Sequence, residues 1–167
     1  MTLWDVDVAV FEDALLECPA AALQTLGIRV IEGTSRIFAV PLEELFDDST
    51  SMLIHSSIDE FNSFSEPSNE AIERWAPIFE SIENWQDSKS PFTAASFTEA
   101  IAQYAHFLFD REDRDALIES LSFCYESILS FARLGRTVTL DMERGNPYCR
   151  GAIQLQKDLI AEIVGIS

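Results

Sequence analysis

Residues 96–135 read SFTEAIAQYAHFLFDREDRDALIESLSFCYESILSFARLG, and the spacing of their apolar side chains decides the class of fold. Phe97, Ile101, Tyr104, Ala105 and Leu108 recur at helical intervals and make one apolar stripe. Leu117, Leu121, Cys124, Ile128 and Phe131 repeat the pattern and predict a second helix that stops near Gly135. Only DREDRD at 110–115 separates them, so short a link that the two helices should fold back as an antiparallel hairpin.

Outward from this hairpin, ERGNPYCRG at 143–151 predicts another helix start. Asn146 is a strong N-cap, and Pro147 at the first helical position loses an N–H that would have no partner in the helix anyway. AIQLQKDLIAEIVGI then places Leu155, Leu159 and Ile163 on one side of a terminal amphipathic helix. RTVTLDM, between the hairpin and that helix, reads as a connector whose β-branched residues also suit a short strand. Towards the N-terminus, FEDALLECPAAALQTLG is rich in alanine and leucine, predicting helix from about residue 5 with Pro19 as a boundary or a first helical turn. GIRVIEGTSRIFAV at 27–40 fits helix or strand. Pro41 opens a short helix through LEELF, residues 48–66 read as a long loop with one helical turn, and SNEAIERWAPIFESIENW reads as a helix kinked or split into two turns at Pro77. The expectation is an all-α, single-domain helical bundle over residues 1–167, with about five to seven helices.

Charge is the unusual property. The chain carries 29 Asp and Glu against 11 Lys and Arg, a formal charge of −18. Residues 1–88 hold eighteen acids and three bases, a net of −15, whereas residues 89–167 hold eleven and eight, a net of −3. An even solvation coat, as in a salt-adapted protein, would not be so lopsided. A focused negative field speeds encounter with cationic partners and repels nucleic acid, which finds no basic stripe here. The same field argues against an anionic membrane surface, and no apolar run approaches the ~20 residues of a span. Cys18, Cys124 and Cys149 match no zinc or redox spacing and read as buried free thiols of a cytoplasmic protein.

Catalytic constellations are missing. His55 and His106 lack spaced partners, the first reading as a surface residue and the second as a core or boundary one. No G-x-S-x-G elbow or phosphate-cradling glycine pattern occurs. Asp110, Asp113 and Asp115 lack the glycine and spacing of a calcium loop and read as a solvated turn. A non-enzymatic protein without cofactor or metal is expected.

The densest acid lies in EELFDDSTSMLIHSSIDEFNSFSE at 43–66, with seven carboxylates, three phenylalanines and no lysine or arginine. One reading turns the rings into the core and the acids to water. The other makes a partner-binding face, in which Glu43, Glu44, Asp47, Asp48, Asp59, Glu60 and Glu66 steer a cationic partner while Phe61 and Phe64 anchor it.

Three stretches carry a resemblance. FEDALLECP at 11–19, PFTAASFTEAIA at 91–102 and NPYCRGAIQLQKDLI at 146–160 resemble the proline-punctuated helices of a YjaG-like family of small all-helical bacterial proteins. That resemblance implies the helical fold and carries no catalytic residues. In size, acidity, lack of an active site and the acid-aromatic segment the chain is similar to bacterial immunity proteins. The implied function is to bind a basic protein, a cognate toxin nuclease domain, and cover its nucleic-acid-binding surface. The alternative is an acidic nucleic-acid mimic or adaptor that regulates a DNA-binding protein.

Overall fold

The computed structural model describes residues 1–64, 68–70, 73, 76–77 and 91–165, and the fold is all-α, with no strand among those residues. The elements are α1 (Leu3–Asp7), a 3₁₀ turn (Ala9–Phe11), α2 (Glu12–Leu16), α3 (Ala20–Ile37), α4 (Leu42–Leu45) and α5 (Asp48–Ser63). After them come α6 (Pro91–Phe109), α7 (Arg114–Ala132), α8 (Leu140–Gly145) and α9 (Pro147–Val164). The helix expected at 68–85 lies largely outside the described residues.

The α6–α7 hairpin is the centre of the molecule, and α3 and α9 pack on it. Its stripes are sealed, Phe97, Ile101, Tyr104, Leu117, Leu121, Cys124 and Ile128 all being buried. The aspartates of the link serve the turn. Asp110 accepts a hydrogen bond from the Glu112 N–H at 3.2 Å, and Asp113 caps α7 by accepting from the Ala116 N–H at 3.3 Å. His106, on this hairpin, is exposed rather than part of the core.

Residues 27–37 are the second half of a continuous α3. Leu23, Leu26, Gly27, Val30, Ile31 and Thr34 form its buried face at helical intervals, and burying that face outweighs the weak strand preference of the β-branched residues. The helix also needs glycine at the crossing. A Cβ on Gly27 would stand 2.3 Å from the Tyr104 ring, and one on Gly33 would stand 2.6 Å from Leu155.

Three further segments depart from the sequence expectations. The N-terminal helix is broken into α1, the 3₁₀ turn and α2, which allows Leu3, Trp4, Val8 and Leu15 all to face the core. Residues 136–142 hold no strand; Thr139 caps α8 by accepting from the Met142 N–H at 3.3 Å. Residues 48–63 are a sixteen-residue helix, not a long loop. Asp47 caps it by accepting from the Thr50 N–H at 2.8 Å. Its inner face is Thr50, Ile54, Ser57 and Phe61, continued by Phe64 beyond the helix end. The small hydroxylic residues bury without loss because their O–H groups find backbone acceptors, Ser57 on Leu53 at 2.7 Å and Ser51 on Leu42 at 3.1 Å. The terminal helix follows its sequence signals: Asn146 accepts from the N–H groups of Tyr148 and Cys149, and Pro147 is the first helical residue.

Candidate partner-binding face and the buried carboxylate

The helical phase of α5 sorts the acid-rich segment into two sides. Asp48, Met52, His55 and Asp59 recur at steps of four, three and four, and all four are exposed. Glu43, exposed on α4, joins this stripe through His55, whose Nε2 lies 2.9 Å from the Glu43 carboxylate, and Glu44 is exposed next to it on α4. The Glu43 carboxyl is held below its usual range, first by a hydrogen bond from its own backbone N–H and then by His55. No ion pair joins Glu44, Asp48 or Asp59 to a lysine or arginine among the described residues. Met52, 70% exposed, puts an apolar side chain in the middle of the stripe.

The remaining expected site residues lie elsewhere. Asp47 is half-buried and spent on the α5 cap, and Glu60 is half-buried on the flank of the helix. Phe61 and Phe64, expected as anchors for a partner, belong to the chain's own core. Phe61 is 2% exposed with its ring edge-on to Tyr104 at 4.7 Å, and Phe64 is buried edge-on to Phe109 at 5.8 Å. The physical reason is the register: 54, 57, 61 and 64 share the face that α3 and α6 cover. Glu66 lies outside the described residues.

Where α5 ends, a cleft of about 400 Å³ separates it from α3 and the end of α6. Gln24 organises its floor. It donates to the Phe64 carbonyl at 3.2 Å and accepts from the Arg111 guanidinium at 2.8 Å, while its own carbonyl accepts from the Tyr104 hydroxyl at 2.7 Å. These bonds tie α3 to both neighbours.

One functional-looking residue left no mark in the sequence. Glu143 is 2% exposed, and a single oxygen of its carboxylate accepts from the Leu3 N–H at 2.9 Å and the Tyr125 hydroxyl at 2.6 Å. Beside it Gln156 accepts from the Trp4 indole N–H and donates to the Leu121 carbonyl, each at 2.9 Å. The cluster is a strap. It fixes α1 to α7, α8 and α9 through groups that would otherwise be buried without partners. Arg114 does the same for α2, donating to the carbonyls of Leu16 and Cys18.

Nothing in the strap is arranged for nucleophilic chemistry. The three cysteines are free and buried. Burial pushes the thiols of Cys18 and Cys149 up and that of Cys124 up to about 12, the opposite of an activated thiolate. Among the described residues no group of three or more His, Cys, Asp or Glu is placed to hold a metal, and no helix is long and apolar enough to cross a membrane. Comparison with protein-family models, with curated proteins and with solved structures returns no match for this chain.

Proposed function

We propose that the chain is an immunity protein that binds a cationic toxin domain, a nuclease, with the α4–α5 face and covers the surface that meets nucleic acid. The observation that carries this reading is the stripe Asp48, Met52, His55 and Asp59, flanked by Glu43 and Glu44. Carboxylates around an exposed methionine supply what a basic, nucleic-acid-binding surface lacks: charge-assisted acceptors for Arg and Lys, and an apolar contact that expels water between them. The residues so used are Glu43, Glu44, Asp48, Met52 and Asp59, and the phenylalanines are not among them. Long-range attraction from a net charge of −18 raises the rate of encounter, and the short-range contacts set the rate of release.

The test is co-expression with the nuclease domain of a toxin encoded directly upstream of this gene. Wild type should restore growth. The fourfold variant Glu43→Lys, Glu44→Lys, Asp48→Lys, Asp59→Lys should lose protection, with affinity down about 100-fold or more, equivalent to about 3 kcal/mol. Because these side chains are exposed, the variant should keep its helicity and lose only a little in melting temperature, from the Glu43–His55 contact and the acids in the first turns of α4 and α5. Protection by this variant at equal expression would overturn the reading. Wild-type association should also slow steeply between about 50 mM and 500 mM salt, with dissociation changing little.

A further inference from the structure

The basic residues divide unevenly once their partners are traced. Arg29 pairs with Glu162 at 2.6 Å, Arg36 lies 3.7 Å from Glu32, and Arg111 and Arg114 are bonded to Gln24 and to backbone carbonyls. Arg133 and Arg136 are exposed and make no hydrogen bond or ion pair among the described residues. They belong to an end of the bundle, residues 133–150, that holds four arginines and two acids, one of which is the buried Glu143. Its exposed charges are four positive against one negative, Asp141, which lies 3.9 Å from Arg144, in a chain of −18. The Phe131–Tyr148 ring contact at 5.2 Å closes the end of α7 onto the start of α9. Arg150 donates to the carbonyls of Arg144 and Gly145, which holds it beside Arg144. Arg133 takes a left-handed backbone, φ 52°, an unfavourable conformation for a residue with a Cβ, and it turns the chain away from α7 at that point. Val138 and Met142 lie exposed among these cations.

We propose that this arginine-bearing end docks on the α4–α5 face of a second copy of the chain. The two surfaces are complementary in charge and composition. One offers Arg133, Arg136, Arg144 and Arg150 around Val138 and Met142; the other offers Glu43, Glu44, Asp48 and Asp59 around Met52. Within one copy no ion pair joins Arg133, Arg136, Arg144 or Arg150 to Glu44, Asp48 or Asp59 among the described residues. Pairing of one arginine end with one acidic face is head-to-tail, and it leaves a free arginine end and a free acidic face on every assembly. Nucleic acid is the poorer occupant, because the rest of a −18 surface would meet its phosphates. Repulsion between copies acts at long range and is screened beyond about 8–10 Å at 0.1–0.15 M salt, whereas close ion pairs are screened less. Association should accordingly be strongest near about 100 mM salt and vanish near about 1 M. Docking would occupy the face assigned above to the basic partner, so the two would compete, yet this inference does not rest on that assignment.

Sedimentation of the full chain at about 100 mM salt tests it. The weight-average mass of wild type should rise with concentration, without a fixed end point. Arg133→Glu/Arg136→Glu should be monomeric, and so should Glu44→Arg/Asp48→Arg/Asp59→Arg. Mixed in equal amounts, these two variants should associate again, because the intact acidic face meets the intact arginine end and the two charge-reversed surfaces also attract each other. A wild type that stays monomeric at every salt concentration overturns the proposal, as does association that survives the arginine variant. Binding of a 20-nucleotide single-stranded DNA probe that the arginine variant loses, with no self-association, would assign this end to nucleic acid and equally overturn it. The arginine variant should still protect cells from the toxin, so failure here is separable from failure of the immunity reading.

Discussion

At the junction of α1 and α8 one carboxylate, Glu143, is sealed with two donors, whereas on α4 and α5 four carboxylates stand in water beside a single imidazole. The difference is one of consequence. A buried acid is held in place by the groups it satisfies, so its removal leaves those groups unsatisfied in the core. An exposed acid loses almost no solvation on folding, so stability places little demand on it, the Glu43–His55 contact being a small exception. The acids of Glu43, Glu44, Asp48 and Asp59 are therefore not used by the core, while Glu143 belongs to the architecture.

The comparison breaks first at residues 59 and 61, two positions apart on opposite sides of α5. Phe61→Ala should cost about 3–5 kcal/mol, the usual range for deleting a buried ring from a packed core. Asp59→Lys should change stability by no more than about 0.5 kcal/mol. Urea denaturation of both variants checks the pair. A mild Phe61→Ala would mean that the ring is not the core contact its 4.7 Å approach to Tyr104 implies.

A second, smaller effect belongs to the strap. Glu143→Ala leaves the Leu3 N–H and the Tyr125 hydroxyl without acceptors and should cost about 3 kcal/mol. Glu143→Gln keeps an oxygen for both donors, because both meet the same carboxylate oxygen, and should cost only about 1 kcal/mol. Hydrogen exchange should show α1 opening in the alanine variant while the α6–α7 hairpin stays protected. Equal losses in the two variants would show that charge, rather than the acceptor, holds α1.

How much of this was legible follows from where each signal resides. The α6–α7 hairpin was readable because its inner positions are almost all large and apolar and its link is short. The terminal helix was readable because Asn146 and Pro147 act locally. By contrast, α5 hides its inner face behind Thr50, Ser51 and Ser57, residues that read as loop composition until their carbonyl acceptors are known. Without the helix its phase is hidden, so the sequence leaves Phe61 and Phe64 open between the core and the face that holds Asp59. The acids at 43, 44, 48 and 59 were legible as solvent-facing from charge alone. The role of Glu143 was not legible, because its donors Leu3 and Tyr125 lie 140 and 18 residues away. The isolated freedom of Arg133 and Arg136 was equally invisible, since it emerges only when every other described arginine has been traced to a partner.

Glu126 lies between the two extremes and sharpens the contrast with the smallest effect. It is half-buried on α7, and burial raises its carboxyl above the usual range, with the charges of Asp5 and Glu119 adding to the rise. A folded-state value above the unfolded one means that the ionised form is penalised in the folded chain. The penalty is fully present at neutral pH and disappears as pH falls through the folded value towards the unfolded one, near about 4.3. Glu126→Gln should therefore stabilise the protein at pH 7 by a few tenths of a kcal/mol, the remaining exposure and solvent screening keeping the gain small. The gain should shrink to nothing below about pH 4, where wild type also carries a neutral side chain. Paired denaturation curves of the two proteins at pH 7 and at about pH 4 measure this directly. A gain of the same size at both pH values would show that the side chain's shape, and not its charge, strains that part of α7.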